Sequence, residues 1–389
     1  MDSSANKLER SLSLTDLLFF GVASIIGSGG FNLIGEAIVK GGNWWPLTLG
    51  LSTAVFMGSS YTYEKAYESS KTNTSESDYV HKILGDNAST VTTGAILLWN
   101  IVSIGTILVL SSHILFPDAS WLGQIGFALF ILIFMSLFSL KGININKESI
   151  NFFSAILVAF LTVITGLGIT GVAQKGLLSI PTMPEQSFIL SMLFFYFILA
   201  GFDALIKFSE ETKDEKDIPR AFYLSNGISF VLTLGMCLAF ISWVNIRKVD
   251  NFENSIGDLV GVFVGEKSKP YVSLVAVTYM IITSFVAFLA TTRYIFSLAE
   301  QHSELSILLP LNENKAPVNS IFFTSITSAL TIMVNHVEKL VRLADFGLST
   351  NLLMVALAAM KAGIDSGKIP IVEGLTSASF VGLMGLSFI

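Results

Sequence analysis

Ser24-Ile25-Ile26-Gly27-Ser28-Gly29-Gly30-Phe31 sets three glycines in four positions inside an apolar run covering 14–38. Each glycine costs a helix interior about 1 kcal/mol relative to alanine, so a helix crossing this stretch breaks. Backbone groups freed by a break are expensive in lipid, and such a break persists only where it is buried in protein or lines a cavity. The amides of Ser28, Gly29 and Gly30 then open a second half-helix, where orphan donors and the helix dipole favour an anion. The carbonyls of Ile25 and Ile26 face a cation. Glycines also allow helices to pack closely, and a second interruption five spans later decides for a site.

That second interruption is Phe195-Tyr196-Phe197-Ile198-Leu199-Ala200-Gly201-Phe202-Asp203, where an acid follows a glycine at membrane depth. Carboxylates inside the membrane are costly and therefore functional candidates. The structural alternative is a snorkelling charge at a helix end, paired with Lys207 one turn later. Paired interruptions at matching positions of two halves point to inverted-repeat transporters with the substrate at the midplane.

Working outward, charged residues make up only 13% of the 389 positions and hydrophobic ones 52%. A soluble domain carries about 25% charge. With a mean hydropathy of +0.68, the chain is expected to be an all-α integral membrane protein. Uncharged runs of the roughly 20 residues a bilayer crossing needs recur at 14–38, 43–63, 88–112, 119–140, 149–173, 187–208, 221–244, 270–299, 317–335, 340–361 and 369–389. About eleven spans are expected, with helices 1 and 6 discontinuous. The first is too long and lacks the small-residue cleavage site of a signal peptide, so it is read as retained. A cytoplasmic N-terminus puts fifteen of the 23 basic residues on the cytoplasmic side, as the positive-inside bias favours; the sequons at Asn73 and Asn87 then face away from glycosylation. The net charge of −6 offers no basic surface for nucleic acid. Cys237, the single cysteine, reads as a small core residue.

Leu12-Ser13-Leu14-Thr15-Asp16, Gly21 and Ile26-Gly27-Ser28-Gly29 resemble the first helix of the amino acid/polyamine/organocation (APC) permeases. Ala200-Gly201-Phe202-Asp203-Ala204, with Glu210-Glu211-Thr212-Lys213 and Ile218-Pro219-Arg220-Ala221, resembles that family's sixth helix and the loop after it. Weaker echoes are Tyr63-Glu64, Ser77-Asp78-Tyr79-Val80, Arg293-Tyr294 and the run from Asn144 to Asn151. The resemblance implies a five-plus-five inverted-repeat (LeuT-like) fold working by alternating access. It divides the chain into a tail 1–12, repeats 13–173 and 187–361, and an additional C-terminal helix 369–389. It implies that Ser28, Gly29 and Gly30 take a substrate carboxylate, and that Ile25 and Ile26, with backbone around Phe197 and Ile198 beside Gly201, take its ammonium. An amino acid zwitterion satisfies both. Phe197 falls where relatives place an aromatic gate, Asp203 where some carry a carboxylate tied to protonation or gating, and Glu211 and Arg220 in the inner gate region.

Two departures stand out. Gly30 replaces a usual bulky isoleucine, and Val158 replaces the span-five lysine of many proton-coupled relatives, leaving exchange, facilitated uptake, proton or sodium as the coupling mode. The family usually has twelve spans and eleven are counted here. His81, His113, His302 and His336 show no metal-ligand spacing, and no nucleophile elbow, phosphate loop or metalloprotease motif occurs; neither a metal, a cofactor nor enzyme activity is expected. Thr283, Ser284, Thr291 and Thr292 offer hydroxyls to a sodium site or to their own backbone. The acidic clusters around Glu76 and Glu210 read as solvated loops balanced by lysines, which leaves Asp203 as the one acid expected deep near the site. The loop 247–269 is expected to carry a short surface helix. An amino acid permease or antiporter in a lipid bilayer is the leading expectation. A polyamine transporter, a channel and a transport-inactive sensor or scaffold are the alternatives.

Overall fold

The computed structural model describes residues 7–27, 30, 33–176, 186–246, 255–265, 267 and 269–386. Among them the chain is helical, with two isolated bridges, Leu12 to Thr212 and Leu311 to Pro317, and no longer strand. Helix α1 (Leu14–Ile25) starts on a capping box, in which the Asp16 carboxylate accepts from the Ser13 amide at 2.8 Å and the Ser13 hydroxyl faces the Asp16 amide. It stops at Ile25, one residue before the glycine run, and the chain resumes as α2 (Ile34–Gly41). There follow α3 (Trp45–Ser70), α4 (Ser75–Leu84), α5 (Asp86–Leu115), α6 (Trp121–Ser139) and α7 (Ile143–Lys175). Helix α8 (Phe188–Leu199) then ends at Ala200, whose backbone is extended, and continues past Gly201 as a 3-10 segment, Phe202–Glu211. Both expected breaks are thus present, five spans apart.

The remainder comprises α9 (Asp217–Trp243), α10 (Ser255–Val264), α11 (Lys269–Gln301), α12 (Val318–Val334), α13 (Val337–Asp365) and α14 (Ile371–Leu386). Among the described residues, seven helices are long and apolar enough to cross a membrane: α5, α6, α7, α8 with its 3-10 continuation, α9, α11 and α13. The other four expected spans coincide with the broken α1 and α2, with the shorter α12 and α14, and with α3, whose second half is polar. Helix α10 is the short helix expected in the loop 247–269, but it is no loose surface element: Ile256 and Leu259 are fully buried against the body.

Position in the bundle follows from which faces are apolar. Helices α6, α7 and α12 expose Phe130, Ile133, Phe152, Val163, Ile326 and Leu330, a surface that is stable in lipid and costly in water. Helix α1 lies inside, packed by α7, α9, α11 and the 3-10 segment, while α13 and α11 both run along α5. The chain before α1 is tied to the end of the 3-10 segment. The Ser11 and Leu12 amides donate to the Glu211 carbonyl at 2.8 and 2.9 Å, and the Lys213 amide donates to the Leu12 carbonyl at 2.9 Å.

Candidate functional site

The two breaks meet. The Ser24 hydroxyl donates to the Gly201 carbonyl at 2.9 Å, and the Thr283 hydroxyl of α11 donates to the Ala23 carbonyl at 2.7 Å. Thr283 therefore bonds the last turn of α1, besides its own helix at Tyr279. Gly201 has φ +126°, and a Cβ there would stand 2.5 Å from the Ser24 carbonyl oxygen. Only glycine suits both the conformation and the approach. A Cβ on Gly27 would lie 2.6 Å from the Thr283 side chain, and one on Gly30 2.8 Å from that of Ile26.

Of the residues expected to bind substrate, Ile25, Ile26, Gly27, Gly30, Ile198 and Gly201 are buried at or beside this junction. Ser28 and Gly29 lie outside the described residues. Phe197 is half-buried, its ring edge-on to Tyr196 at 5.8 Å, and its carbonyl accepts from the Ala200 amide at 3.3 Å. Tyr196 in turn stacks on Phe56 at 4.7 Å.

Asp203 does pair with Lys207, at 3.1 Å, but neither snorkels: both are buried, Lys207 completely. The Lys207 ammonium also donates to the Asp203 carbonyl at 3.0 Å and to Glu76 Oε1 at 3.0 Å. Glu76 is thus not the solvated loop charge expected from sequence, since α4 folds it inward to 0% exposure against a lysine 131 positions away. A cation from a distant element makes that burial tolerable. Glu211 is likewise buried and takes a two-pronged contact from Arg293 of α11, Nε at 3.0 Å and Nη2 at 3.3 Å. Arg220 stays apart from it. Its side chain is 58% exposed, pairs with Asp217 at 3.4 Å and lines an open cleft of about 790 Å³ with Arg10, Glu64 and Lys213.

Three functional candidates have no place in the sequence reading: the Glu76–Lys207 contact, the role of Arg293 and, above all, Asp345. The Asp345 carboxylate on α13 is 8% exposed and has no hydrogen-bond or ion-pair partner among the described residues. It is near enough to the Tyr196 hydroxyl to act on it electrostatically, with Ser349 one turn along. That hydroxyl makes no hydrogen bond within 3.5 Å among the described residues, Ser349 being the side chain placed to reach it. The available signal was a single acid in the apolar run after Arg342. Asn151 and Asp16, two residues of the resembling motifs, meet at 2.5 Å. No group of three His, Cys, Asp or Glu among the described residues is placed to hold a metal.

Seven apolar helices of spanning length among the described residues define an integral, multi-pass membrane protein. Residues 12–371 match the amino acid permease family, and the chain belongs to it, within the APC superfamily. It is 27% identical over 381 residues to cationic amino acid transporter 5 of Arabidopsis thaliana, covering 92% of this chain and 66% of that one. It is 22% identical over 271 residues to the inner membrane transport protein YbaT of Escherichia coli, covering 66% and 61%. A third similarity, 27% over 158 residues, is to the transporter YdgF of Bacillus subtilis, covering 39% and 33%. The chain thus spans under two thirds of the length of each of these relatives.

Proposed function

We propose that the protein carries amino acids across the membrane by alternating access, with the N-terminus cytoplasmic and the five-plus-five repeats at 13–173 and 187–361. The observation that carries this reading is the junction of the two broken helices through Ser24 and Gly201. Such a junction leaves half-helix ends of opposite polarity around one point. The amides of Ser28, Gly29 and Gly30 take the substrate carboxylate, and the carbonyls of Ile25, Ile26 and Ile198 take its ammonium. A polyamine has no carboxylate for the amide end, which disfavours it.

Asp345 favours a narrower substrate class. A carboxylate without a partner among the described residues, next to Tyr196, suits the side-chain cation of a basic amino acid, in keeping with the similarity to a plant cationic amino acid transporter.

The test is uptake into proteoliposomes of labelled lysine and leucine, with the vesicles empty or preloaded and with proton or sodium gradients. Saturable uptake with counterflow is expected, and Gly29→Leu abolishes it by blocking the anion end. Binding without flux at any gradient identifies a sensor or scaffold instead. Uptake that neither saturates nor shows counterflow identifies a channel. Asp345→Asn is expected to weaken lysine transport about tenfold or more, the scale of one charge-assisted contact of 1.5–3 kcal/mol, while leaving leucine nearly unchanged; equal effects on both overturn the basic-side-chain reading.

A further inference from the structure

Glu76, Lys207 and Asp203 form a cluster from two elements, with side-chain exposures of 0%, 0% and 2%. One ammonium faces two carboxylates, so with all three groups ionised the cluster holds one uncompensated negative charge. A buried charge of that kind is strongly penalised and is relieved by taking up a cation. Moreover, Glu76 Oε2 is buried with no hydrogen bond within 3.5 Å among the described residues, the nearby Asn351 amide donating to the Tyr63 hydroxyl at 2.8 Å, whereas Glu76 Oε1, the Asp203 carbonyl and Asp203 Oδ2 are engaged by Lys207. The smallest cation that fits an orphaned carboxylate oxygen in a closed site is a proton.

Among the described residues, the surroundings supply no other counter-charge. Tyr63 of α3 and Tyr294 of α11 face Glu76 with neutral phenols, and Asn351 of α13 with a neutral amide. Arg293 is taken by Glu211, and Lys361 of α13 donates to the Ile83 carbonyl at 2.8 Å. On α4 itself, Asp78 accepts from Thr72 and Thr74, and His81 faces Asp86 of α5 on the exposed side. Burial drives the Glu76 carboxyl from its ordinary 4.5 up to about 7, Asp203 adding to the rise and Lys207 opposing it.

We propose that the Glu76–Lys207–Asp203 cluster is a proton-binding site that latches α4 to the 3-10 half of the sixth span. This makes the proton a coupling ion for the transport proposed above and rests on that reading. A proton from water adds to Glu76 Oε2 and forms an O–H bond. Lys207 keeps its charge and stays with Asp203, now as a balanced pair, and the contact from Lys207 to Glu76 loses its ionic component. Because the proton removes the uncompensated buried charge, helix α4 is then held more tightly, and the closure at its end of the molecule firms. The cluster supplies the charge in a place independent of the span-five position occupied by Val158.

Two readouts test the site, the first without any substrate. Amide exchange of residues 75–84 in the full-length protein, corrected for the intrinsic pH dependence of exchange, is expected to be several-fold slower at pH 6 than at pH 8. In Glu76→Gln that ratio is expected to fall to about one, with slow exchange at both pH values, because the neutral amide mimics the protonated acid. A ratio of one in the wild type, or a ratio that persists in Glu76→Gln, overturns the proposal. Glu76→Gln with Lys207→Met and Asp203→Asn leaves the site neutral with no titrating group and guards against a folding defect; it must also be pH-independent. The second readout is proton-driven accumulation of substrate, which Glu76→Gln should abolish while leaving counterflow exchange. Accumulation retained in Glu76→Gln overturns the coupling role. Loss of all flux in the wild type refutes the transport reading alone, since the exchange ratio still reports the proton site.

Discussion

At Gly201 a single φ of +126° and a carbonyl 2.5 Å from where a Cβ would stand decide whether the sixth span can fold back onto the first. Gly201→Ala is expected to cost about 1–3 kcal/mol in backbone strain alone and to lower the thermal unfolding midpoint together with uptake. Gly50, with open space around its Cβ position, is the control and should tolerate alanine with no loss. The buried Glu211–Arg293 contact obeys the opposite asymmetry, because removing one partner strands a charge. Glu211→Ala is therefore expected to destabilise by about 3–5 kcal/mol, and Glu211→Ala with Arg293→Met should recover much of that in the same unfolding measurement. These roles were unequally legible. Gly201 announced itself as a glycine beside an acid in an apolar run, whereas the arginine that holds Glu211 lies 82 positions away and only folding pairs them.

Among the elements, the broken helices were the most readable and the α4 helix the least. Clustered glycines lower helix propensity locally, so the ends of α1 at Ile25 and α8 at Leu199 follow from a few adjacent residues. Helix α4 reads as an amphipathic loop with acids to spare, and nothing local says that Glu76 turns inward. Its burial has a measurable consequence for the fold. Because the folded value near 7 lies above the ordinary 4.5, the folded protein binds a proton between those limits that the unfolded chain does not. The folded state thus gains stability from this group as pH falls through 7, fully so below 4.5, and lacks that gain above 7. The unfolding midpoint of Glu76→Gln, compared with wild type from pH 8 to pH 5, should be missing this upward component; an identical pH dependence in both proteins would refute the assignment.

For the whole molecule, scarce charge and long apolar runs were enough to establish a multi-pass membrane protein with two broken helices, and the motifs around Gly27 and Asp203 were enough for the resemblance to the amino acid permeases that the family match bears out. Those properties are written in one dimension, since the bilayer imposes a length and each helix satisfies its own backbone. Which charges become partners was decided by tertiary structure alone: Lys207 with Glu76 across 131 positions, Arg293 with Glu211 across 82, and Asp345 left beside Tyr196 without a hydrogen-bond or ion-pair partner among the described residues. The same acid is a solvated loop charge or a buried proton acceptor according to what the fold packs around it. Its energy depends on desolvation and on the nearest opposite charge, and neither is a property of neighbouring residues in the chain.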